Sequence, residues 1–517
     1  MPFKKADPSE MLYARKVRIA ADDETLGHFD GQSKICNWLW NRLKQEVEAD
    51  FHLLSHGYYY GAMNEDLERQ ILSGIYSEQG LRNRVPELKE RFPFLRLVHS
   101  SPLKNIALRM AKAIDKHRKA KATGQDCAWI SFKAWRQEWM SIEYEERGKG
   151  WKVTGKTLKL SFGAKDGKHL HKTVRLINPT TGLSKAKGCR IIREGRDRYF
   201  AVFTFSAQKP RIKELKASVP LRRVYLDPNQ KNFAYGLDAS GKGFEIANPK
   251  QRIENERLTD LLKGKRDKAV KKSLWVDTVH EDGSISTHAR PSRQWFKRNA
   301  VLERHEQKVR EQTKHYHYAL ANHLCATYDD IGIGNYVPDN TDHGKGRKYN
   351  RALRNRTTHG EFKKVLLWVA TKSGKSARVF DESGTTRTCH VCDYVVEGGI
   401  HPKIREWDCP VCKTHHLRDE NSCQNGLLKM ATLEVGSLEM PCSGPVLVSE
   451  RCDWHFHPQG WREIPQGSAS VNQKRPPEYR RNRRRKLHRQ GGAPVSKSAQ
   501  NAGRYAQSIA GAHDCAG

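Results

Sequence analysis

The spacing of apolar residues divides the chain into successive patterns. Residues 11–20 read as a short strand. From 24 to 124 the period turns helical, with Ile35, Trp38, Leu39 and Leu43, then Leu103, Ile106, Ala107, Met110 and Ile114, at steps of three and four. Strand-like runs return between 128 and 206, at residues 129–132, 157–162 and 199–205, with Gly and Lys turns between them. This predicts a small β-rich unit split by a helical insertion.

A further pattern starts near Leu221. Residues 224–227 form an apolar strand ending in Asp227, and residues 232–237 form a second one after a Pro-Asn step. Long basic helical stretches follow at 251–272 and 292–328, then a short apolar strand at 331–334 and a helical run at 422–430. Past Met440 the periodicity fades. Residues 474–486 are a basic low-complexity run, expected to stay disordered until it meets phosphate.

Charge narrows the partners. Lys and Arg number 93 against 58 Asp and Glu, a net charge of +35, and the pI is about 9.8. That surplus is spread along the chain and points to a polyanion, with nucleic acid first. No apolar run is long enough to span a membrane, and the first residues do not form a secretory signal. Lys112, Lys116, Arg118, Lys119 and Lys121 end the helical region as either a solvated face or a phosphate-binding one. Trp129, Trp135, Trp139 and Trp151 lie among basic residues and suit base stacking or a core equally in chemistry, with core the commoner use. The run Tyr58-Tyr59-Tyr60 is open to the same two readings.

Twelve cysteines are present, and four stand at metal-ligand spacing. Cys389 and Cys392 form one Cys-x-x-Cys pair, and Cys409 and Cys412 form a second after sixteen intervening residues. Four thiolates make a closed tetrahedral zinc site that staples two hairpins and leaves no position for water, so this zinc is structural. The other eight are scattered, which fits reduced thiols in a cytosolic compartment. Asp227 at a strand end and Asp419 before a helix are candidate ligands for Mg²⁺, which prefers carboxylate oxygen. A lone Asp at a strand end is otherwise a turn former.

At these residues the chain resembles the TnpB-type RNA-guided nucleases, relatives of compact type V CRISPR effectors and of Fanzor proteins. The likeness spans residues 10–435. Residues 225–234 are similar to the first RuvC motif, residues 385–392 to the family's Thr-Ser-x-x-Cys-x-x-Cys signature, and residues 418–421 to the third RuvC motif, Arg-Asp-x-Asn. Two positions depart from the pattern. Asn229 stands where the first motif carries Gly, and Gly334 stands where the family's catalytic Glu ends its strand. Some members carry that Glu on the strand entering the zinc module, which here is residues 377–382. Strand alternation leaves Asp381 and Glu382 open, because neighbouring side chains face opposite ways. The resemblance and the longer reach favour Glu382.

The resemblance implies an α/β multidomain chain: an RNase H-like (RuvC) nuclease domain with an inserted zinc ribbon, plus a β-rich wedge domain carrying a helical recognition insertion. The boundaries expected are 1–23 and 127–215 for the wedge, 24–126 for the recognition helices, 216–383 and 416–440 for the nuclease domain, 384–415 for the target-nucleic-acid-binding zinc ribbon and 441–517 for a basic disordered tail. It further implies an Mg²⁺-dependent endodeoxyribonuclease with Asp227, Glu382 and Asp419 as catalytic ligands of two Mg²⁺, one structural Zn²⁺, a guide RNA and a double-stranded DNA target read beside a short protein-recognised motif. A monomer in the prokaryotic cytoplasm, associated with the nucleoid, is expected. The competing readings are a nuclease-dead RNA-guided DNA-binding protein and a transposase that works without RNA.

Overall fold

A computed structural model describes residues 9–466 except for short internal stretches, of which 211–220, 337–357 and 433–445 are the longest. The chain divides into Met1–Ile464, which holds the folded elements, and Pro465–Gly517, of which Pro465 and Gln466 are described. Trp135, the Tyr58–Tyr60 run and the basic run at 474–486 lie outside the described residues.

The N-terminal strand β1 (Glu10–Ala20) enters an antiparallel sheet that the chain completes only after an excursion of four helices: α1 (Asp23–His56), α2 (Glu65–Tyr76), α3 (Glu78–Arg91) and α4 (Ser100–Ala122). The remaining strands are β2 (Ile142–Tyr144), β3 (Trp151–Thr154), β4 (Thr157–Lys165), β5 (Lys168–Leu176), β6 (Gly188–Glu194) and β7 (Arg198–Gln208), in the order β2-β6-β7-β1-β5-β4-β3. β1 runs beside β7 from Glu10↔Gln208 to Arg18↔Phe200, then shifts to β5 at Ile19↔Leu176. Val17, Ile19, Phe203 and Phe205 turn inward with Trp151, so Trp151 is a core residue. Asp22 caps α1 by accepting from the Thr25 N–H at 2.7 Å. Leu39, Leu43, Leu103, Ile106, Met110 and Ile114 are buried together, as their spacing predicts.

Residues 129–132 are not a strand. Asn41 on α1 donates to the Lys133 carbonyl at 3.0 Å and accepts from its N–H at 2.7 Å. Trp40 Nε1 donates to the Ser131 carbonyl at 3.1 Å. Side chains of α1 thus satisfy backbone groups that a neighbouring strand would otherwise have to pair.

The second sheet begins as a meander, β8 (Arg223–Pro228), β9 (Ala234–Asp238) and β10 (Lys242–Ile246). The chain then leaves it through α5 (Arg252–Lys268), the hairpin β11 (Leu274–Val279) and β12 (Ile285–Arg290), and the long α6 (Arg293–Thr327). It returns as β13 (Asp330–Gly334), parallel to β8, and after α7 (His359–Ser373) as β14 (Ser376–Phe380), parallel to β13. Ile331 and Ile333 pack under Leu320, Leu324, Phe362 and Leu366 of α6 and α7. On the opposite face, Tyr225 and Phe380 meet Met430 of a further helix, α8 (Arg418–Thr432). Gly426 permits this close approach: a Cβ there would stand 2.3 Å from the Tyr225 ring. A short hairpin, β15 (Glu406–Asp408) and β16 (His415–Leu417), leads into α8.

Within the tail expected from residue 441, residues 450–457 and 460–465 form strands. β17 (Glu450–His457) joins the sheet parallel to β10, from Lys242↔Glu450 to Ile246↔Trp454, and β18 (Gly460–Pro465) follows as the edge. Trp454 stacks on Phe244 at 4.0 Å, and Cys452 is buried beside it. Among the described residues, no helix is long and apolar enough to cross a membrane.

Candidate metal centre and carboxylate site

Each Cys-x-x-Cys pair closes a tight turn of the same design. Cys389 N–H donates to the Tyr394 carbonyl at 2.8 Å and Asp393 N–H to the Cys389 carbonyl at 3.0 Å. In the second turn, Cys409 N–H donates to Thr414 and Lys413 N–H to Cys409, both at 2.9 Å. Asp393 (φ 57°) and Lys413 (φ 62°) are left-handed, at a cost of about 1–2 kcal/mol each that metal ligation can offset. The four Sγ atoms lie within 4.8 Å of one another, so these thiols can hold a metal such as zinc. Thr414 Oγ1 lies 3.2 Å from Cys412 Sγ and helps pull that thiol down to about 6. His416 is buried, with Nε2 3.1 Å from Cys389 Sγ.

The turns are fastened to the first part of α8. Asn421 accepts from His390 N–H at 3.2 Å and donates to the Thr385 and Thr388 carbonyls at 3.2 and 2.8 Å. Asn425, one turn on, donates to the same two carbonyls, each at 2.8 Å. α8 starts at Arg418, earlier than the spacing of apolar residues indicates, and Asp419 lies in its first turn.

Asp227, next to the last residue of β8, is buried and accepts from Ser422 Oγ at 3.1 Å. Its pKa is pushed well above the ordinary carboxylate value, first by burial, then by the Glu382 and Asp419 charges. Glu382 lies just past β14, where β14 runs beside β13. Its carboxylate covers Gly334 so closely that a Cβ at 334 would be 1.6 Å from Oε1. The missing side chain at 334 is the space that Glu382 fills. Glu382 Oε1 is buried without a hydrogen-bond partner. Asp381 is exposed and turned elsewhere, accepting from Asn335 Nδ2 at 3.1 Å and from Ser383 N–H at 3.3 Å. Gly334→Ala is therefore expected to displace Glu382 and weaken divalent-metal binding about ten- to a hundred-fold, measurable by Mn²⁺ titration. Unchanged binding would show that the 334 position is not what seats Glu382.

Asp419 is engaged from two sides. Asn229 Nδ2 donates to Oδ2 at 2.5 Å, and Arg405 Nη1 reaches Oδ1 and Oδ2 at 3.1 and 3.0 Å. Glu420 faces away and pairs with Arg451 of β17 at 3.0 Å. Asn229, Ser422 and Arg405 were not singled out as site residues by the sequence. Asn229 was visible as a departure from Gly, and Ser422 as the neighbour of a motif. Arg405, in the loop between the cysteine pairs, carried no signal. Lys112, Lys116, Arg118, Lys119 and Lys121 stand exposed on α4, apart from this group, with Arg118 and Lys119 paired to Asp115 at 2.8 and 2.7 Å.

Burial, with Asp381 nearby, raises Glu382 from 4.5 to about 7. A carboxyl whose folded pKa is raised favours the protonated native state. Its stability contribution is full below 4.5 and is lost as pH climbs through about 7. In Mg²⁺-free buffer the melting temperature of wild type should fall across that window more than that of Glu382→Gln. Parallel profiles for the two proteins would refute the assignment.

A mixed parallel-antiparallel sheet covered on both faces, with clustered carboxylates beside a four-thiol knuckle pair, defines an α/β protein. Residues 359–425 match the family model described as Cas12f1-like, TNB domain. "Putative transposase R186" of Acanthamoeba polyphaga mimivirus is 30% identical over 129 residues, 25% of this chain and 26% of that protein. "Putative RNA-guided DNA endonuclease MT2953" of Mycobacterium tuberculosis (strain CDC 1551 / Oshkosh) is 24% identical over 253 residues, 46% of this chain and 50% of that protein. The matches thus span half or less of these relatives' length. Among solved structures, the chain in "Cryo-EM structure of the Cas12f1-sgRNA-target DNA complex" is 12% identical, with 81% of this chain and 98% of that one covered at a TM-score of 0.48. The resemblance drawn from the motifs is borne out as a likeness: the chain is similar to the Cas12f1-like TNB family over residues 359–425 and to a putative RNA-guided DNA endonuclease over 253 residues.

Proposed function

We propose that this chain is an RNA-guided DNA endonuclease, pairing a guide RNA with target DNA and cutting at one site built from Asp227, Glu382 and Asp419. The observation that carries the reading is the Glu382 carboxylate, buried over Gly334 and close enough to Asp227 to raise its pKa. The strand order β10-β9-β8-β13-β14, with three antiparallel strands followed by two parallel ones, supports an RNase H-like domain. In this reading the zinc ribbon is inserted before α8, the first sheet is the wedge, and α1–α4 are the recognition insertion. The charge of +35 suits guide and target strands.

The carboxylates fit Mg²⁺ by donor chemistry: hard oxygens, mutually repelling, one of them buried without a partner. When bound, two Mg²⁺ would supply Lewis acidity to the phosphodiester and activate water. The protein's own part is to hold the ligands. Ser422 fixes Asp227, Asn229 orients Asp419, and the Gly334 space seats Glu382. Arg405 neutralises Asp419 and so competes with a metal for it. Arg405→Gln is expected to tighten Mn²⁺ binding severalfold by electron paramagnetic resonance titration; weaker binding would instead give Arg405 a supporting role.

The deciding experiment incubates purified protein, its co-purifying RNA and a matched plasmid with Mg²⁺. Sequence-matched cleavage that ribonuclease abolishes is expected. Binding without nicking would leave a nuclease-dead binder, and ribonuclease-resistant cutting would indicate an RNA-independent transposase.

A further inference from the structure

Away from the carboxylates in sequence, α1, α2 and the end of α4 enclose a cleft of about 580 Å³. Its wall is aromatic. Phe51 of α1 meets Tyr76 at 6.1 Å and Trp129 at 5.6 Å between ring centroids, both nearly edge-on. An edge-to-face contact uses the face of only one of the two rings, and Tyr76 is 37% exposed.

The rim is cationic. Arg118 and Lys121 project from the last turns of α4, and the Arg118 guanidinium lies 5.1 Å from the Tyr76 ring centroid. Glu48 is the acidic residue of the lining, and it is already engaged by Lys44 and by Trp129 Nε1 at 3.0 Å. The carboxyl end of a helix carries partial negative charge, so its backbone cannot hold an anion. An anion here must be met by side chains, by Lys121 and by Arg118, which would share its charge between the anion and Asp115, 2.8 Å away.

The chemistry suits a nucleotide. The volume falls within the range of small-ligand sites, and an aromatic interior with cations at the mouth matches a base and its phosphate. Exposed Lys116 and Lys112 continue back along α4 at successive turns, a track for neighbouring phosphates that a free nucleotide would not use. We propose that this cleft receives one unstacked base of a nucleic-acid strand, among Phe51, Tyr76 and Trp129, with its phosphate on Arg118 and Lys121. This goes beyond the nuclease reading, because it requires no cleavage and would hold for a chain that only binds.

The test measures binding of the full-length protein to single-stranded RNA, single-stranded DNA and fully paired DNA by fluorescence anisotropy. Tyr76→Ala should weaken binding of at least one single strand about tenfold and leave duplex binding within about twofold. The arm that loses affinity identifies the strand as RNA or DNA. Tyr76→Phe should retain wild-type affinity, since the ring face is kept. Lys121→Gln should lower the salt slope for that strand by about one. Circular dichroism checks that Tyr76→Ala is folded, and the photo-adduct of a 5-iodouracil oligonucleotide, mapped by mass spectrometry on wild type, needs no variant at all. An adduct on Tyr76, Phe51 or Trp129 supports the site. Adducts only elsewhere, single-strand affinity unchanged in Tyr76→Ala, or Tyr76→Phe as weak as Tyr76→Ala would each overturn it.

Discussion

Glu382→Gln should reduce DNA cleavage on the order of a thousand-fold or more while leaving guide and target affinity near wild type. The amide keeps the shape that fills the space over Gly334 but removes the charge a metal needs. Because Glu382 is buried and raises the Asp227 pKa, the substitution also relieves native-state repulsion. The variant should therefore be at least as stable as wild type near neutral pH. Lost activity could not then be ascribed to unfolding. Asp381→Asn is the control, since that side chain is exposed and bonded to Asn335. Gel-based cleavage and anisotropy on the same preparations read the two quantities apart. A Glu382→Gln enzyme that cuts while Asp381→Asn does not would reverse the assignment.

The second large effect is expected at the thiols. Cys409→Ser, or stripping zinc with a strong chelator, should cost both the zinc module and nuclease activity, even with Mg²⁺ in excess. Structural zinc sites of this kind contribute roughly 10–16 kcal/mol of apparent binding free energy at neutral pH, more than two short hairpins can replace. Loss should spread to the carboxylates, because Asn421 and Asn425 tie the first two turns of α8 to the Thr385 and Thr388 carbonyls beside Cys389. Asp419 stands in the first of these turns, and Arg405, its ion-pair partner, stands within the module. Zinc released per chain, measured with a chromophoric chelator, should track the activity lost. Full cleavage by zinc-free protein would separate the two centres.

Much of this arrangement could be read from local pattern. The helices around Leu39 and Met110 followed from periodicity, because each buries one face on a neighbour, and the strands at Asp227 and Gly334 from short apolar runs, because both their faces are covered. Residues 129–132 misled because backbone groups of Ser131 and Lys133 are met by the Trp40 and Asn41 side chains of α1, in place of a strand partner. β17 was hidden for the opposite reason: Cys452 and Trp454 do alternate inward, but the strand they join is β10, far earlier in the chain. The cysteine pairs were legible since zinc demands a fixed spacing. The choice between Asp381 and Glu382 was not, as it depends on the empty position at Gly334 across the sheet. Arg405 had no local pattern at all.

The pairing of β10 with β17 also sets a timetable for synthesis. β10 leaves the ribosome with one edge satisfied by β9 and the other open. At about 5–20 residues per second, the intervening chain takes on the order of ten seconds or more to emerge. For that interval the nascent protein carries an exposed sheet edge beside Phe244, which later stacks on Trp454, and such edges invite wrong partners. A prematurely terminated product lacking residues 450–457 would keep that edge for good, so it should depend on chaperones and aggregate where the finished chain does not.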